Sequence, residues 1–254
     1  MLIKNQKSNQ LTFVDGRFYT DENGNYFPSA TTLLEAYPKP YQLMQWMKEM
    51  GSKADEIRDA AGKRGSNVHQ LTEDYDQGFE CTLLNEYGKP NYSLEEWSMF
   101  ERYVEFTEIH KPEHILIEQT FVNSKLGFAG TLDRIAKIDG KVYVLDIKTS
   151  NGIFNNYWLQ IAAYRELYNA SIKQADTMPD IDGVAILWLN AKTRTYGKNG
   201  AIQGPGWQMI TKEDTTNDWD LFKSVQKLWL AEHEDDKPKE FSYKLSHKKE
   251  NPLL

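Results

Sequence analysis

The chain has 254 residues, 40% of them hydrophobic and 26% charged, which is the composition of an ordinary folded protein and not of a disordered or fibrous one. It has no uninterrupted apolar run long enough to cross a bilayer, so we expect no membrane partner. A single cysteine, Cys81, excludes an internal disulfide and an iron–sulfur cluster held by four cysteines of this chain. The formal net charge of −7 argues against a broad basic surface for nucleic acid, although bound cations can reverse the local field of a carboxylate cluster.

The N-terminal region predicts short strands followed by helices. The strands are Leu11–Val14, Arg17–Thr20 and Tyr26–Phe27. Ser29 is placed to cap a short helix that ends before Pro38, and a second helix is predicted from Tyr41 to Glu49. The first seven residues are too polar for a secretory signal, so we expect a cytoplasmic protein.

Three further helices are predicted before residue 111. The first runs from Ser52 to about Gly62, and a separate one from Arg64 to Tyr75. The third opens with the capping box Ser93-Leu-Glu-Glu96, in which a serine and a glutamate three residues later satisfy each other's backbone groups.

From residue 111 onward the pattern changes to strands. Three strands, a helix and a buried strand are predicted at 115–122, 128–138, 142–147, 156–169 and 184–189, with an edge strand at 207–210 and a closing helix at 211–231. The predicted fold class is α/β (α+β), a mixed sheet flanked by helices in the order αβββαβ. We expect one domain over 1–254: strands and helices to residue 110, a catalytic core at 111–190, then edge strand, closing helix and a flexible tail.

The hairpin around Asp139-Gly140 holds the main candidate residues. This dipeptide is a strong signal for a two-residue turn, and a tight turn sets Asp133 directly opposite Asp146. Lys148 lies on the same face of its strand as Asp146. Opposed residues hold their Cβ atoms about 4.5–5.5 Å apart, and like charges there destabilise a sheet. The arrangement therefore predicts a divalent-cation site, unless the turn bulges by one residue and the two carboxylates separate.

Several other side chains are candidates for the same site. Glu118 lies on the preceding strand and is either a metal ligand or a solvated strand residue. His69 lies on the predicted helix that begins at Arg64, where it is either a ligand or a structural histidine. Lys63 and Arg64 are either phosphate contacts or an ordinary solvated helix end.

Four segments together resemble the PD-(D/E)XK nuclease superfamily, specifically its RecB-like exonuclease branch. They are Arg64-Gly-Ser-Asn-Val-His69, Gly130-Thr-Leu-Asp133, Asp146-Ile-Lys148-Thr149 and Gln160-Ile-Ala-Ala-Tyr164. Pro28-Ser-Ala-Thr-Thr-Leu-Leu34 is similar to a segment near the start of phage and mitochondrial genome-maintenance exonucleases of this type. The segments occur in the family's order over residues 28–168, which is more specific than any one of them.

The resemblance implies a restriction-endonuclease-like core and a metal-dependent DNA exonuclease, acting on DNA ends or single strands in recombination, repair or phage DNA processing. It implies catalysis by Asp133, Asp146 and Lys148. One or two Mg²⁺ or Mn²⁺ ions would be held by a larger set, namely His69, Asp133, Asp146, the backbone carbonyl of Ile147 and, as an open candidate, Glu118. DNA contacts or support of the lysine would come from Gln160, Tyr164, Thr149, Arg64 and Lys63.

Three alternatives stay open. The chain is an endonuclease of the same superfamily, a catalytically inactive DNA-binding or scaffold subunit, or a small-molecule metal hydrolase. The order of elements and the absence of a histidine cluster count against the last of these. No Gly-x-x-x-x-Gly-Lys-Ser/Thr motif occurs, so we expect no ATP site. A helicase or single-strand-binding protein would then be a separate partner, and a homo-oligomer is a further expectation.

Overall fold

The computed structural model describes residues 3–4, 10–13, 16–172, 178–193, 195–196, 202–234 and 238. The helices in this part of the chain are α1 (Ala30–Leu33), α2 (Tyr41–Met50), α3 (Lys53–Asp76), α4 (Leu94–His110), α5 (Asn155–Ile172) and α6 (Thr216–Glu232), with a 3-10 turn at Leu34–Ala36. The strands are β1 (Ile3–Lys4), β2 (Gln10–Phe13), β3 (Gly16–Thr20), β4 (Tyr26–Pro28), β5 (Glu113–Asn123), β6 (Phe128–Ile138), β7 (Lys141–Lys148), β8 (Gly183–Trp188), β9 (Thr195–Tyr196), β10 (Ile202–Gln203) and β11 (Gln208–Lys212). The fold is α+β, as predicted.

The main sheet has five strands in the order β11-β8-β7-β6-β5. Neighbouring strands are antiparallel except β7 and β8, which are parallel and joined through α5. A parallel pair needs a crossover of this kind because a tight turn cannot join two parallel strands. The predicted order of helix, three antiparallel strands, helix and strand is therefore present, with β11 at one edge.

β6 and β7 form the predicted hairpin. Asp139 and Gly140 both have positive φ, +50° and +85°, as the tightest two-residue turn requires. The pairing runs without a bulge from this turn to Arg134 opposite Leu145. The predicted register is confirmed up to that pair, one step before the two aspartates that were expected to face each other.

Helices cover both faces of the main sheet. On one face, α5 and α6 pack over apolar residues of β6, β7 and β8; this core includes Phe128, Ile135, Val144, Leu159, Ile161, Val184 and Phe222. On the other face, α3 and α4 pack over alternate residues of the same strands; this core includes Val68, Met99, Tyr103, Phe106, Ala136, Leu145 and Leu187. Because the second half of β7 is buried from both sides, its polar residues Asp146 and Lys148 lie in a largely dry environment.

The prediction of two helices between residues 52 and 75 is wrong. α3 is one continuous helix of 24 residues, and Ser52 makes no side-chain cap hydrogen bond. Gly62 lies inside the helix, where glycine costs only about 1 kcal/mol relative to alanine. Burial of Val68 and Leu71 on the apolar side of α3 offsets a cost of that size. The continuous helix fixes His69 rigidly to the part of α3 before it.

The first strands and the last residues complete the described structure. β1 to β4 form a separate antiparallel sheet, joined to the main body by a parallel bridge between Ser29 and Ala129. Ser29 caps α1 as predicted, accepting a hydrogen bond of 3.0 Å from the N–H of Thr32. The closing helix begins at Thr216 and not at the predicted Thr211, which belongs to β11.

Some predicted features fall outside the described residues. These are Asp15 in the first predicted turn, the glycine-rich segment 197–201 and the polar tail from residue 239 onward. Among the helices that the structure describes, none combines the length and the apolar character that a bilayer crossing requires.

Candidate active site

Asp133 lies near the middle of β6, where its regular pairing with β7 stops. Its Oδ2 atom accepts a hydrogen bond of 2.7 Å from the backbone N–H of Ile147, so the carboxylate itself continues the link between the two strands. The same oxygen lies 3.5 Å from Nδ1 of His69. Asp133 is therefore held in place from two directions and still presents its other oxygen.

His69 reaches this position because α3 approaches the end of β7 closely. A Cβ atom on Gly65 would lie 3.3 Å from Oγ1 of Thr149, so the glycine makes room for the buried threonine. Two residues before His69, the side-chain amide of Asn67 donates a hydrogen bond of 2.7 Å to Glu96. Glu96 is also the acid of the capping box that begins α4, which is present as predicted. The hydrogen bond between Asn67 and Glu96 therefore connects α4 to α3, the helix that carries His69.

Glu118 completes a group of three potential metal ligands. One ligand atom each from His69, Glu118 and Asp133 lie within 4.8 Å of one another. Glu118 has φ of +46°, a left-handed conformation that is uncommon for any residue except glycine. Burial, together with the negative charge of Asp133, raises the pKa of the Glu118 carboxyl to about 8, against the opposing charge of Arg134. A cation bound beside Glu118 would favour the ionised carboxylate and so offset the effects of burial and of the charge on Asp133.

Asp146 and Lys148 lie next to this group and pair with each other. Asp146 Oδ2 is 2.6 Å from Lys148 Nζ, and both side chains are largely buried. Burial raises the pKa of Asp146 to about 6; the charge of Lys148 opposes this rise, and that of Asp133 adds to it. Burial disfavours the charged lysine, but the carboxylates of Asp146 and Asp133 outweigh burial and raise the pKa of Lys148. Lys148 is therefore a fixed positive charge beside the ligand group.

A chain of polar contacts holds the lysine from the side of α5. Lys148 Nζ donates a hydrogen bond of 3.2 Å to the side-chain oxygen of Gln160, whose amide donates one of 3.0 Å to the hydroxyl of Tyr164. Lys148 Nζ also lies 4.7 Å above the ring of Tyr157, a cation–π distance. The ring of Tyr164 fits only because residue 130 is glycine, since a Cβ there would lie 2.6 Å from the ring. Two of the four segments that carry the family resemblance, Asp146–Thr149 and Gln160–Tyr164, therefore meet at Lys148.

The structure places the remaining predicted residues less directly. Lys63 is exposed on α3, and the guanidinium of Arg64 lies 3.3 Å from the carboxylate of Glu95 on α4. Ile147 contributes its N–H to Asp133, and its carbonyl as a metal ligand stays a prediction. Phe154 directly precedes α5; its side chain is 47% exposed, and its ring packs edge-on against the ring of Tyr157 with the two centroids 5.5 Å apart.

The chemistry of the donors fits a hard divalent cation. The two carboxylates are ligands that Mg²⁺ and Mn²⁺ accept, one imidazole is compatible with Mn²⁺, and the group contains no cysteine. The three donor atoms all lie within 4.8 Å of one another, so His69, Glu118 and Asp133 could hold one ion together. Asp146 does not belong to the group of three, because its carboxylate is turned to Lys148.

One residue of the site was missed by the sequence interpretation. Arg134 directly follows Asp133 and is completely buried, with its guanidinium 3.2 Å from the Glu118 carboxylate. The sequence contains a signal for this burial. Position 134 lies two residues from Leu132 and two from Ala136, so the alternation of a strand predicts that Arg134 is buried like these two apolar residues. An arginine at such a position must have buried partners.

No protein-family model matches this chain, and no curated protein matches its sequence. The family resemblance therefore stays a prediction from the motifs.

Proposed function

We propose that this chain is a Mg²⁺- or Mn²⁺-dependent deoxyribonuclease, and more narrowly an exonuclease that works on DNA ends or single strands. One observation carries the proposal. Three metal-ligating side chains, His69, Glu118 and Asp133, lie beside a buried ion pair of an aspartate and a lysine, Asp146 and Lys148. A site built only for stability would not gather three carboxylates in a dry place, because each raises the cost of ionising the next.

Each side chain has a role that follows from its position. His69, Glu118 and Asp133 would hold the ion. When bound, the ion lowers the pKa of a water molecule and neutralises charge on the scissile phosphate. Lys148 keeps its proton, so its Nζ supplies positive charge to the phosphate and a hydrogen bond to the attacking water. Gln160 fixes the direction of that ammonium group by accepting from it at 3.2 Å.

The narrower exonuclease proposal rests on the resemblance of the four segments. DNA is the proposed partner, with Lys63 and Arg64 as candidate phosphate contacts near the histidine helix. Arg64 would have to exchange its present partner Glu95 for a phosphate, whereas Lys63 is already exposed. Any motor activity would come from another protein, since the sequence carries no phosphate-binding loop motif.

The proposal is tested with end-labelled DNA. Linear and closed circular substrates, single- and double-stranded, are incubated with Mg²⁺, with Mn²⁺ or with EDTA. We expect metal-dependent loss of the end label from linear DNA and no cutting of circles. Asp133→Asn should abolish cutting. Asp139→Asn is the matched control, because it removes an exposed carboxylate from the same hairpin and keeps a turn dipeptide that the hairpin favours.

The outcomes separate the alternatives. Cutting of circles as fast as linear DNA would indicate an endonuclease of the same superfamily. Binding of DNA without any metal-dependent cutting would indicate an inactive binding subunit. Full activity in EDTA would refute the metal mechanism.

A further inference from the structure

Arg134 is the largest fully buried side chain of the protein's described part. Its Nε donates to Asp76 Oδ2 at 2.6 Å and its Nη1 to the carbonyl of Asp133 at 2.6 Å. Nη1 also donates to Glu118 at 3.2 Å, and Nη2 lies 3.4 Å from the hydroxyl of Thr72. A buried arginine is costly unless its donors are matched in this way.

One end of the guanidinium is fixed by the helical layer. Asp76 is the last residue of α3, and its buried carboxylate accepts a hydrogen bond of 2.6 Å from the hydroxyl of Tyr103 on α4. His114 on β5 lies 3.3 Å from the other oxygen of Asp76. α3, α4 and β5 therefore meet at Asp76, and Arg134 cannot shift without disturbing their contacts there.

The other end of the guanidinium reaches the metal site. Glu118 is flanked by regular pairs, Ile117 with Arg134 and Gln119 with Leu132, yet its own φ is +46°. A left-handed conformation costs about 1–2 kcal/mol for such a residue, and it persists only where the surroundings hold it. The side chain of Glu118 forms an ion pair of 3.2 Å with Nη1 of Arg134.

The geometry points to Arg134 as a positioning residue: we propose that it holds the Glu118 carboxylate in place as the third ligand of the metal group. The inference rests on the proposed metal site. It also explains why the residue is arginine, since a planar fork with several donors reaches Asp76, Asp133 and Glu118 together. A lysine carries its three donors on a single nitrogen atom, which cannot span these separated acceptors as the guanidinium does.

The test measures Mn²⁺ affinity, by calorimetry or by electron paramagnetic resonance, in the absence of DNA. We compare the wild type, Arg134→Lys, Glu118→Gln and the double variant. Loss of a group that orients a metal ligand typically weakens metal binding by about 10–100-fold, and we expect this for Arg134→Lys. If the arginine acts through the glutamate, adding Arg134→Lys to Glu118→Gln should weaken binding no further, so the two effects are not additive.

A matched control separates positioning from stability. Tyr103→Phe removes a hydrogen bond from the same buried network without touching Glu118. It should lower the melting temperature and leave Mn²⁺ affinity within about twofold. If Arg134→Lys does not fold, the combination of Arg134→Met and Asp76→Asn takes its place in the comparison with Glu118→Gln. This combination removes both charges of the Arg134–Asp76 ion pair, so neither charge is left buried without its partner.

Each result decides a different claim. If the wild-type protein binds no Mn²⁺, the metal site of the proposed function is refuted. If the wild type binds and Arg134→Lys binds equally well, only the positioning role is refuted. Additive effects in the double variant would likewise mean that Arg134 acts on the site by a route other than Glu118.

Discussion

Gly130 permits a close packing that the proposed active site depends on, so Gly130→Ala is the most direct test of the described geometry. The added Cβ would lie 2.6 Å from Cε1 and 3.2 Å from Cδ1 of Tyr164, whereas carbon atoms in favourable contact are about 3.5–4.0 Å apart. The ring must therefore move by about 1 Å. Tyr164 is buried and tied through Gln160 to Lys148, so the movement reaches the lysine of the proposed site.

Gly130→Ala should lower both the free energy of unfolding and the rate of DNA cutting. Overpacking of this kind costs about 1–3 kcal/mol, which urea denaturation followed by tryptophan fluorescence measures. A displacement of about 1 Å at a catalytic group can lower the rate by about 100-fold, and a nuclease assay well below the melting temperature measures it.

The control is Gly62→Ala, where the new Cβ meets no atom within 4 Å inside a helix. This change should stabilise the protein by up to about 1 kcal/mol and leave activity unchanged. Wild-type stability and activity in Gly130→Ala would refute the packing of Tyr164 described above.

Three further predictions concern the cap of α4, the carboxyl groups of Glu118 and Asp146, and the exposed ring of Phe154. Ser93→Ala should lower stability by about 1 kcal/mol, and Ser93→Asp should restore most of it, because either side chain can cap α4. In EDTA, Glu118 and Asp146 should make the protein less stable as pH rises from about 5 to about 8.5, since their folded pKa values of about 8 and about 6 exceed ordinary ones. A melting temperature in Glu118→Gln with the same pH slope would contradict this. Phe154→Ala, at a 47% exposed ring, should reduce cutting of single strands by about tenfold and affect duplexes less.

The hairpin was predictable because its signal is local. Asp139-Gly140 sets the turn, and the turn sets the register of both strands. The same holds for the capping box at Ser93 and for Ser29, whose hydrogen bonds stay within a few residues. Local chemistry therefore predicted most element boundaries from residue 94 to residue 188.

The part of the site that escaped prediction depends on contacts between distant segments. Arg134 meets Asp76 across 58 positions and Glu118 across 16. No local pattern assigns a left-handed conformation to Glu118, whose described side-chain partner, Arg134, lies on the neighbouring strand. The unbroken helix through Gly62 has the same origin, since burial of apolar residues on either side outweighs the low helix propensity of glycine.

The charges of the site add a last prediction about DNA binding. Four carboxylates, those of Asp76, Asp133, Glu118 and Asp146, lie around two fixed cations, Arg134 and Lys148. With Glu118 protonated below its pKa of about 8, the formal charge of the metal-free site is −1, which repels a phosphodiester. When one divalent ion binds and Glu118 loses its proton, the formal charge of the site becomes zero, so in a chain with a net charge of −7 the metal removes the local repulsion of DNA.

Fluorescence anisotropy with labelled DNA tests this prediction. Ca²⁺ takes the same oxygen ligands as Mg²⁺ and replaces it in the assay, so that cutting does not interfere. We expect binding in Ca²⁺ to be at least about tenfold tighter than in EDTA, which corresponds to about 1.4 kcal/mol. Asp133→Asn should lose this difference and the hairpin-turn variant Asp139→Asn should keep it. Equal affinity with and without the ion in the wild type would mean that DNA is held by another surface, and that the metal acts on catalysis alone.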